Sequence, residues 1–328
     1  MATGDIVLGE NQYGKAECRL VRVTRPSTGS GGGPGSGGGP GSGGGPGSGG
    51  GPGSGGGHWI EDLTVTSQLR GDFEACHTEG DNSQVVTTDT QKNTMYAHAK
   101  EHGIGSPEEF LIRLGRHFVD GFDWVTGGRW EAEQHGWQRI VVDGQPHDHS
   151  FVRTGQETRT AVVQIVDGRT HVISGLTDCT VLKSTGSEFH GFPRDRYTTL
   201  QETDDRILAT SVTARWRYAQ LPADFTATYE SVRATMLSTF ASLHSLALQQ
   251  TLFAMGKAVL EQHDEIAEIK FSMPNKHHFL VDLEPFGLDN PGEVFFAADR
   301  PYGLIQATVQ RDGIAPEPAA WASVAGFC

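Results

Sequence analysis

Apolar and polar residues alternate through Cys18 to Arg25 (CRLVRVTR) and His58 to Leu69 (HWIEDLTVTSQL), the pattern of half-buried strands. The period then lengthens to that of a helix. Asp89 to Lys100 reads as a first helix, with Thr88 as N-cap, Gln91 completing a capping box and Gly103 marking the end. Ser106 caps a second helix, Pro107 takes its first position and Glu109 closes the box; Phe110, Leu111, Leu114 and Phe118 then recur on one face. Strands are predicted near Gly128 to Glu133 and Trp137 to Val142.

The second half repeats this order. Glu157 to Val166 and Cys179 to Thr185 read as strands with a turn near Asp167-Gly168, and Ile207 to Tyr218 as a further strand. Two long helices follow, near Ala223 to Leu243 and Leu246 to Gln262; Ile266 to Met273 and Phe279 to Leu283 read as the last strands. The pattern is two-layer α+β, and we divide it into residues 1–150 and 151–328.

Between the first two strands the chain repeats GGGPGS, with prolines at Pro34, Pro40, Pro46 and Pro52. Such a stretch offers no apolar area to offset the entropy of ordering glycine, so residues 29–57 are expected as a disordered surface loop. Lengthening a hairpin turn from about 5 to about 30 residues adds roughly 1.6 kcal/mol of closure entropy, which a hairpin packed in a larger sheet tolerates. A natural expansion and an engineered linker both fit the repeat.

The chain has 328 residues, 36% of them hydrophobic, enough for a sizeable core. No apolar run is long enough to span a bilayer as a helix, and the first residues lack the regions of a secretory signal. A formal net charge of −14 repels nucleic acid and anionic membranes, so an anionic substrate would need a local cationic site. Cys18, Cys76, Cys179 and Cys328 lie far apart without CxxC spacing, which fits free thiols in a reducing cytoplasm.

The most informative segment is KSTGSEFHGFPRDRYTTLQETDDR, Lys183 to Arg206. NQYGKAE (Asn11 to Glu17), VVTTDTQKNT (Val85 to Thr94) and SMPNKHHF (Ser272 to Phe279) accompany it. Together, and in this order, these segments resemble the signature of the urate oxidases (uricases). That resemblance implies oxidation of urate by O2 and water to 5-hydroxyisourate and hydrogen peroxide, with no cofactor and no metal. It also implies two tandem tunnelling-fold (T-fold) repeats, whose antiparallel sheets close into a barrel between subunits of a homotetramer. The insert then stands where the family has a short hairpin turn. Uricases of eukaryotes usually end in a Ser-Lys-Leu type tripeptide; Gly326-Phe327-Cys328 does not match it, which favours a bacterial, cytoplasmic enzyme.

Site residues follow from the same resemblance. Arg206 offers a planar fork of donors, Gln249 an amide that both donates and accepts, and Phe189 a ring to stack on the purine. The backbone of Leu248 joins this clamp. Lys15 and Thr88 match the catalytic dyad, with the N–H of Asp89 aimed at the ligand from a helix N-terminus. Asn275 is expected above the purine to hold O2 or water, and His277 to complete the proton relay; read as a strand, the two share a face and His278 points away. The dyad and the clamp are expected to come from neighbouring subunits. Two readings compete: a metal-dependent hydrolase on the same fold using His147, His149, His277 and His278, and a purine-binding protein without catalysis.

Overall fold

The computed structural model describes residues 5–26, 57–298 and 300–328. The expected Gly/Pro/Ser-rich loop therefore lies outside the described residues, save for Gly57.

The chain opens with the predicted hairpin, β1 (Tyr13–Thr24) against β2 (Trp59–Gly71). On β2 the side chains of Leu63, Val65, Ser67 and Leu69 are fully buried while Thr64, Thr66, Gln68 and Arg70 between and after them are partly exposed, the period-two signal seen in the sequence. A bulge in β1 between Lys15 and Cys18 shifts the register there, and Glu17 takes a left-handed φ of 55°. After the short helix α1 (Glu74–Thr78) come α2 (Thr88–Glu101) and α3 (Pro107–Gly121).

At α3 the capping box forms as predicted: Ser106 Oγ accepts from Glu109 N–H, and Glu109 accepts from Ser106 N–H. At α2 the prediction was one residue late. Thr87, not Thr88, is the cap, its Oγ accepting from Thr90 N–H at 3.0 Å. Gln91 closes no box; it is fully buried and accepts from Ser67 Oγ on β2 at 2.9 Å. A sheet contact of this kind has no local sequence signal.

β3 (Val125–Gln134) returns to the sheet. The predicted strand at 137–142 exists as β4 (Trp137–Val142), but it leaves the sheet and pairs with β5 (Gln145–Arg153) in a separate hairpin. The main sheet instead continues through β6 (Thr158–Val166), β7 (Arg169–Lys183) and β8 (Leu208–Tyr218). Asp167 and Gly168, both at positive φ, form the predicted β6–β7 turn. Helices α4 (Phe225–Ser242) and α5 (Leu248–Gln262) follow, then β9 (Ile266–Asn275). The expected strand at 279–283 shortens to β10 (His278–Leu280), paired with β11 (Phe295–Ala297) outside the main sheet. The sequence reading also lacks α1, β5 and β11, as well as β12 (Gly303–Gln310), which pairs with β9, and the short α6 (Pro318–Trp321).

The result is an eight-stranded sheet in the order β1-β2-β3-β6-β7-β8-β9-β12, antiparallel at every ladder. One face, bearing Leu63, Trp130, Trp216 and Phe271, packs against the long helices. The opposite face is polar around Arg129, Glu131, Arg215 and Lys270, and the chain's last turn crosses part of it: Gln164 Nε2 donates to the carbonyls of Ala320 and Ala322. No helix among the described residues is long and apolar enough to cross a membrane.

A buried ion pair ties α3 to the sheet. Glu108, in the first turn of α3, is fully buried and accepts from Arg159 Nη2 on β6 at 2.7 Å. Its other oxygen accepts from Ser174 Oγ on β7 at 2.5 Å, and Ser174 accepts in turn from the Tyr218 hydroxyl on β8. The helix N-terminus favours the carboxylate there. Arg159 also lies over the Tyr229 ring of α4. Replacing Glu108 by Leu strands a buried guanidinium, so we expect about 3–5 kcal/mol of lost stability, read from the shift of the denaturant unfolding midpoint.

Candidate active site

Lys15 pairs across the β1–β2 ladder with Ser67, whose hydroxyl bonds Gln91 of α2. Cross-strand partners share a face, so Lys15 stands on the α2 side of the sheet. Thr88 and Asp89 are the first two residues of that helix. With Thr87 serving Thr90, the N–H groups of Thr88 and Asp89 stand at the open end of α2, where backbone donors and the helix dipole favour an anion. The Asp89 carboxylate is turned to its own helix, accepting from Lys92 Nζ at 2.5 Å and Asn93 Nδ2 at 2.8 Å. The Lys92 hydrogen bond chiefly holds this carboxyl below its usual range, and the charge of Lys15 contributes. Lys92 was missed in the sequence, although its i+3 spacing from Asp89 on a helix could have revealed it.

A second group forms where the β7–β8 connection folds back on itself. Phe189 and Thr203 exchange backbone hydrogen bonds, and Arg206 N–H donates to Ser187 carbonyl at 2.8 Å. The same ribbon is tied to the start of α5: Glu188 N–H donates to Ser245 carbonyl at 2.8 Å, and Ser245 N–H to Gly186 carbonyl at 2.9 Å. Ser245 lies three residues before Leu248, so Phe189, Arg206, Leu248 and Gln249 are drawn toward one corner of the fold. The Ala247 side chain caps nothing, which leaves the first N–H groups of α5 open to a ligand. Leu248 is buried, consistent with a backbone contribution, whereas Gln249 is exposed.

Arg206 is half-buried, its guanidinium 5.0 Å from the centre of the Phe189 ring. Its buried Nε has no acceptor, and it has no carboxylate partner among the described residues. Burial lowers its pKa, but a guanidinium stays charged at neutral pH. The arrangement is a cation with free planar donors beside an aromatic face, able to grip a flat anion.

His277 belongs to this corner as well. Burial lowers the imidazole pKa, and the positive charges of Arg206 and His278 lower it further. The shared strand face expected for Asn275 and His277 is not found: β9 ends at Asn275 and β10 starts at His278, so His277 sits in the break between strands. The break arises because Lys276 N–H pairs back to Ala209 while His277 carbonyl accepts from Ala298. Of the histidines considered for metal binding, His147 and His149 stand together on β5, in a different hairpin from His277 and His278.

The two groups do not meet within one chain. Lys15 lies on the edge strand β1, and Asn275 ends β9, six strand spacings away in the sheet. At about 4.8 Å per spacing, that is roughly 29 Å along the sheet.

The uricase family model matches residues 11–164 and 172–306. The uricase of Arthrobacter globiformis is 58% identical over 323 residues, covering 98% of this chain and 96% of that protein. Its crystal structure superposes with a TM-score of 0.85 at 57% identity, covering 98% of this chain and all of that one. The uricase of Aspergillus flavus is 39% identical over 269 residues, covering 78% of this chain and 89% of its own. With the family pattern running across most of the sequence and the fold matching over nearly all of it, the chain belongs to the uricase family.

Proposed function

We propose that this protein oxidises urate with O2 and water, giving 5-hydroxyisourate and hydrogen peroxide without a cofactor. Two electrons and two protons pass from the purine to O2, and water supplies the new hydroxyl. The observation that carries this reading is the unpaired Arg206 guanidinium beside Phe189 at the open start of α5, in a chain of the uricase family.

In this reading Arg206 and the Gln249 amide hold the edge of urate, Phe189 stacks on it, and Leu248 N–H adds a backbone donor. Asn275 holds O2 or water over the ring. Lys15 and Thr88 relay a proton, Asp89 N–H steadies the anion, and His277 extends the relay. The depressed pKa of His277 suits this role, because a neutral imidazole can accept a proton near pH 7.

The separation of the two groups across the sheet supports a site shared between subunits, Lys15 and Thr88 coming from one and the clamp from its neighbour. Open edges at β1 and β12, with exposed Val21, Val23 and Leu304, support closure of sheets against other copies in a homotetramer. Two repeats fit the topology, β1-β2-α2-α3-β3-β6 and β7-β8-α4-α5-β9-β12, with β4–β5 as a side hairpin. We therefore move the division between them from residue 150 to the Asp167-Gly168 turn.

Purified protein should remove the urate absorbance band under air, and a protein that only binds purines would leave it intact. Lys15→Ala or Thr88→Ala should each lower kcat about 100-fold or more. Co-expressing Lys15→Ala with Arg206→Ala chains should regain part of the activity that each lacks alone; mixed tetramers as inactive as the parents would rule out the shared site. NMR should show His277 titrating below the ordinary histidine range, and moving upward in Arg206→Gln as a neighbouring positive charge is lost. An acid limb set by His277 would accordingly lie below the ordinary histidine range.

A further inference from the structure

Asp205 has no assigned role, yet it sits at the junction of every segment that forms the clamp. Its carboxylate accepts from Thr185 Oγ1 at 2.7 Å and from Gly186 N–H at 2.9 Å. Thr203 Oγ1 closes the other side by donating to the Asp205 carbonyl at 2.6 Å. Gly186 has a left-handed φ of 73°, which turns successive N–H groups toward one anion. Consistent with that, the carboxyl is held below its usual range, first by Thr185 and also by the backbone N–H groups of Gly186, Ser187 and Arg206.

The bonds then spread outward. Gly186 carbonyl accepts from Ser245 N–H ahead of α5, and Ser187 carbonyl accepts from Arg206 N–H. Glu188, next in the chain, donates back to Ser245, and Phe189 follows it. One carboxylate thus fixes the end of β7, the backbone of Arg206 and, through Gly186, the approach to Leu248.

We propose that Asp205 is the positioning residue of the urate clamp: it orders the Thr185–Ser187 turn, which holds Arg206 and Phe189 against the N-terminus of α5. The inference rests on the clamp reading above. Asp205 acts through other residues and takes no part in proton transfer. Its removal should weaken urate binding more than it slows the bound substrate.

The test compares Asp205→Ala, Asp205→Asn, Asp204→Ala and Arg206→Ala by steady-state kinetics, by anaerobic urate Kd, and by thermal unfolding. Asp204 is the control, since its carboxylate is almost wholly exposed and, among the described residues, meets only His190. Asp205→Ala should raise KM and anaerobic Kd about 10-fold or more while kcat changes by less than about 3-fold, with the melting temperature close to that of the parent. Asp205→Asn keeps one acceptor oxygen and should recover part of the loss. Amide hydrogen exchange at Gly186 and Ser245 should quicken in Asp205→Ala. An unchanged Kd in Asp205→Ala, with a raised Kd in Arg206→Ala, would overturn the inference and leave the clamp standing. A raised Kd that tracks a fall in melting temperature, with no recovery in Asp205→Asn, would reduce Asp205 to a stability role and overturn it too. An unchanged Kd in Arg206→Ala would overturn the clamp and the inference together.

Discussion

The spacing of hydrogen-bonded strands governs this molecule. Seven antiparallel ladders fix the order of eight strands, and each ladder moves the chain about 4.8 Å sideways. In this open sheet a residue on β1 and a residue on β9 are therefore held six strand spacings apart. Helices cover one face, and β1 and β12 stand at the open edges of the sheet. In the function we propose, a chemistry that needs Lys15 near Arg206 finds its second half on another chain.

Electrostatics makes the same point at a smaller scale. The chain carries a formal charge of −14, yet its candidate site is locally cationic. Most buried arginines are matched: Arg159 to Glu108, Arg217 to Glu268, and the half-exposed Arg233 to Glu157, all within 2.7 Å. Arg159–Glu108 ties β6 to α3, Arg217–Glu268 ties β8 to β9, and Arg233–Glu157 ties α4 to the start of β6, so each of these charges is matched within the fold. Arg206 differs because its backbone is tied down while its guanidinium is not. In a partly desolvated corner, that free fork outweighs a distant and screened net charge.

Much of the fold was legible because its signals are local. The Ser106-Pro107-Glu109 start of α3, the Asp167-Gly168 turn and the alternating runs of β2, β6 and β8 depend on neighbours in sequence. Errors arose where a distant contact decided the outcome. Gln91 was assigned to a capping box but spends its amide on Ser67 of β2. β4 is the exception: it pairs with β5 across the Asp143-Gly144 turn, a local hairpin signal that the sequence reading did not use. Asn275 and His277 have the spacing of a shared face, but the backbone of Lys276 turns to Ala209 between them.

The sequence by itself determined the two rounds of strands and paired helices, the family, and the residue types able to grip a purine and move its protons. Those properties follow from side-chain chemistry and short-range periodicity. Only the tertiary structure decided that the Arg206 guanidinium has no carboxylate partner among the described residues while Arg159, Arg217 and Arg233 each have one, that Asp205 binds the Thr185-Gly186 turn, and that Lys15 lies across the sheet from Asn275. The reason is physical: pairing, burial and separation are set by backbone ladders between residues far apart in the chain, and no single segment encodes its distant partner.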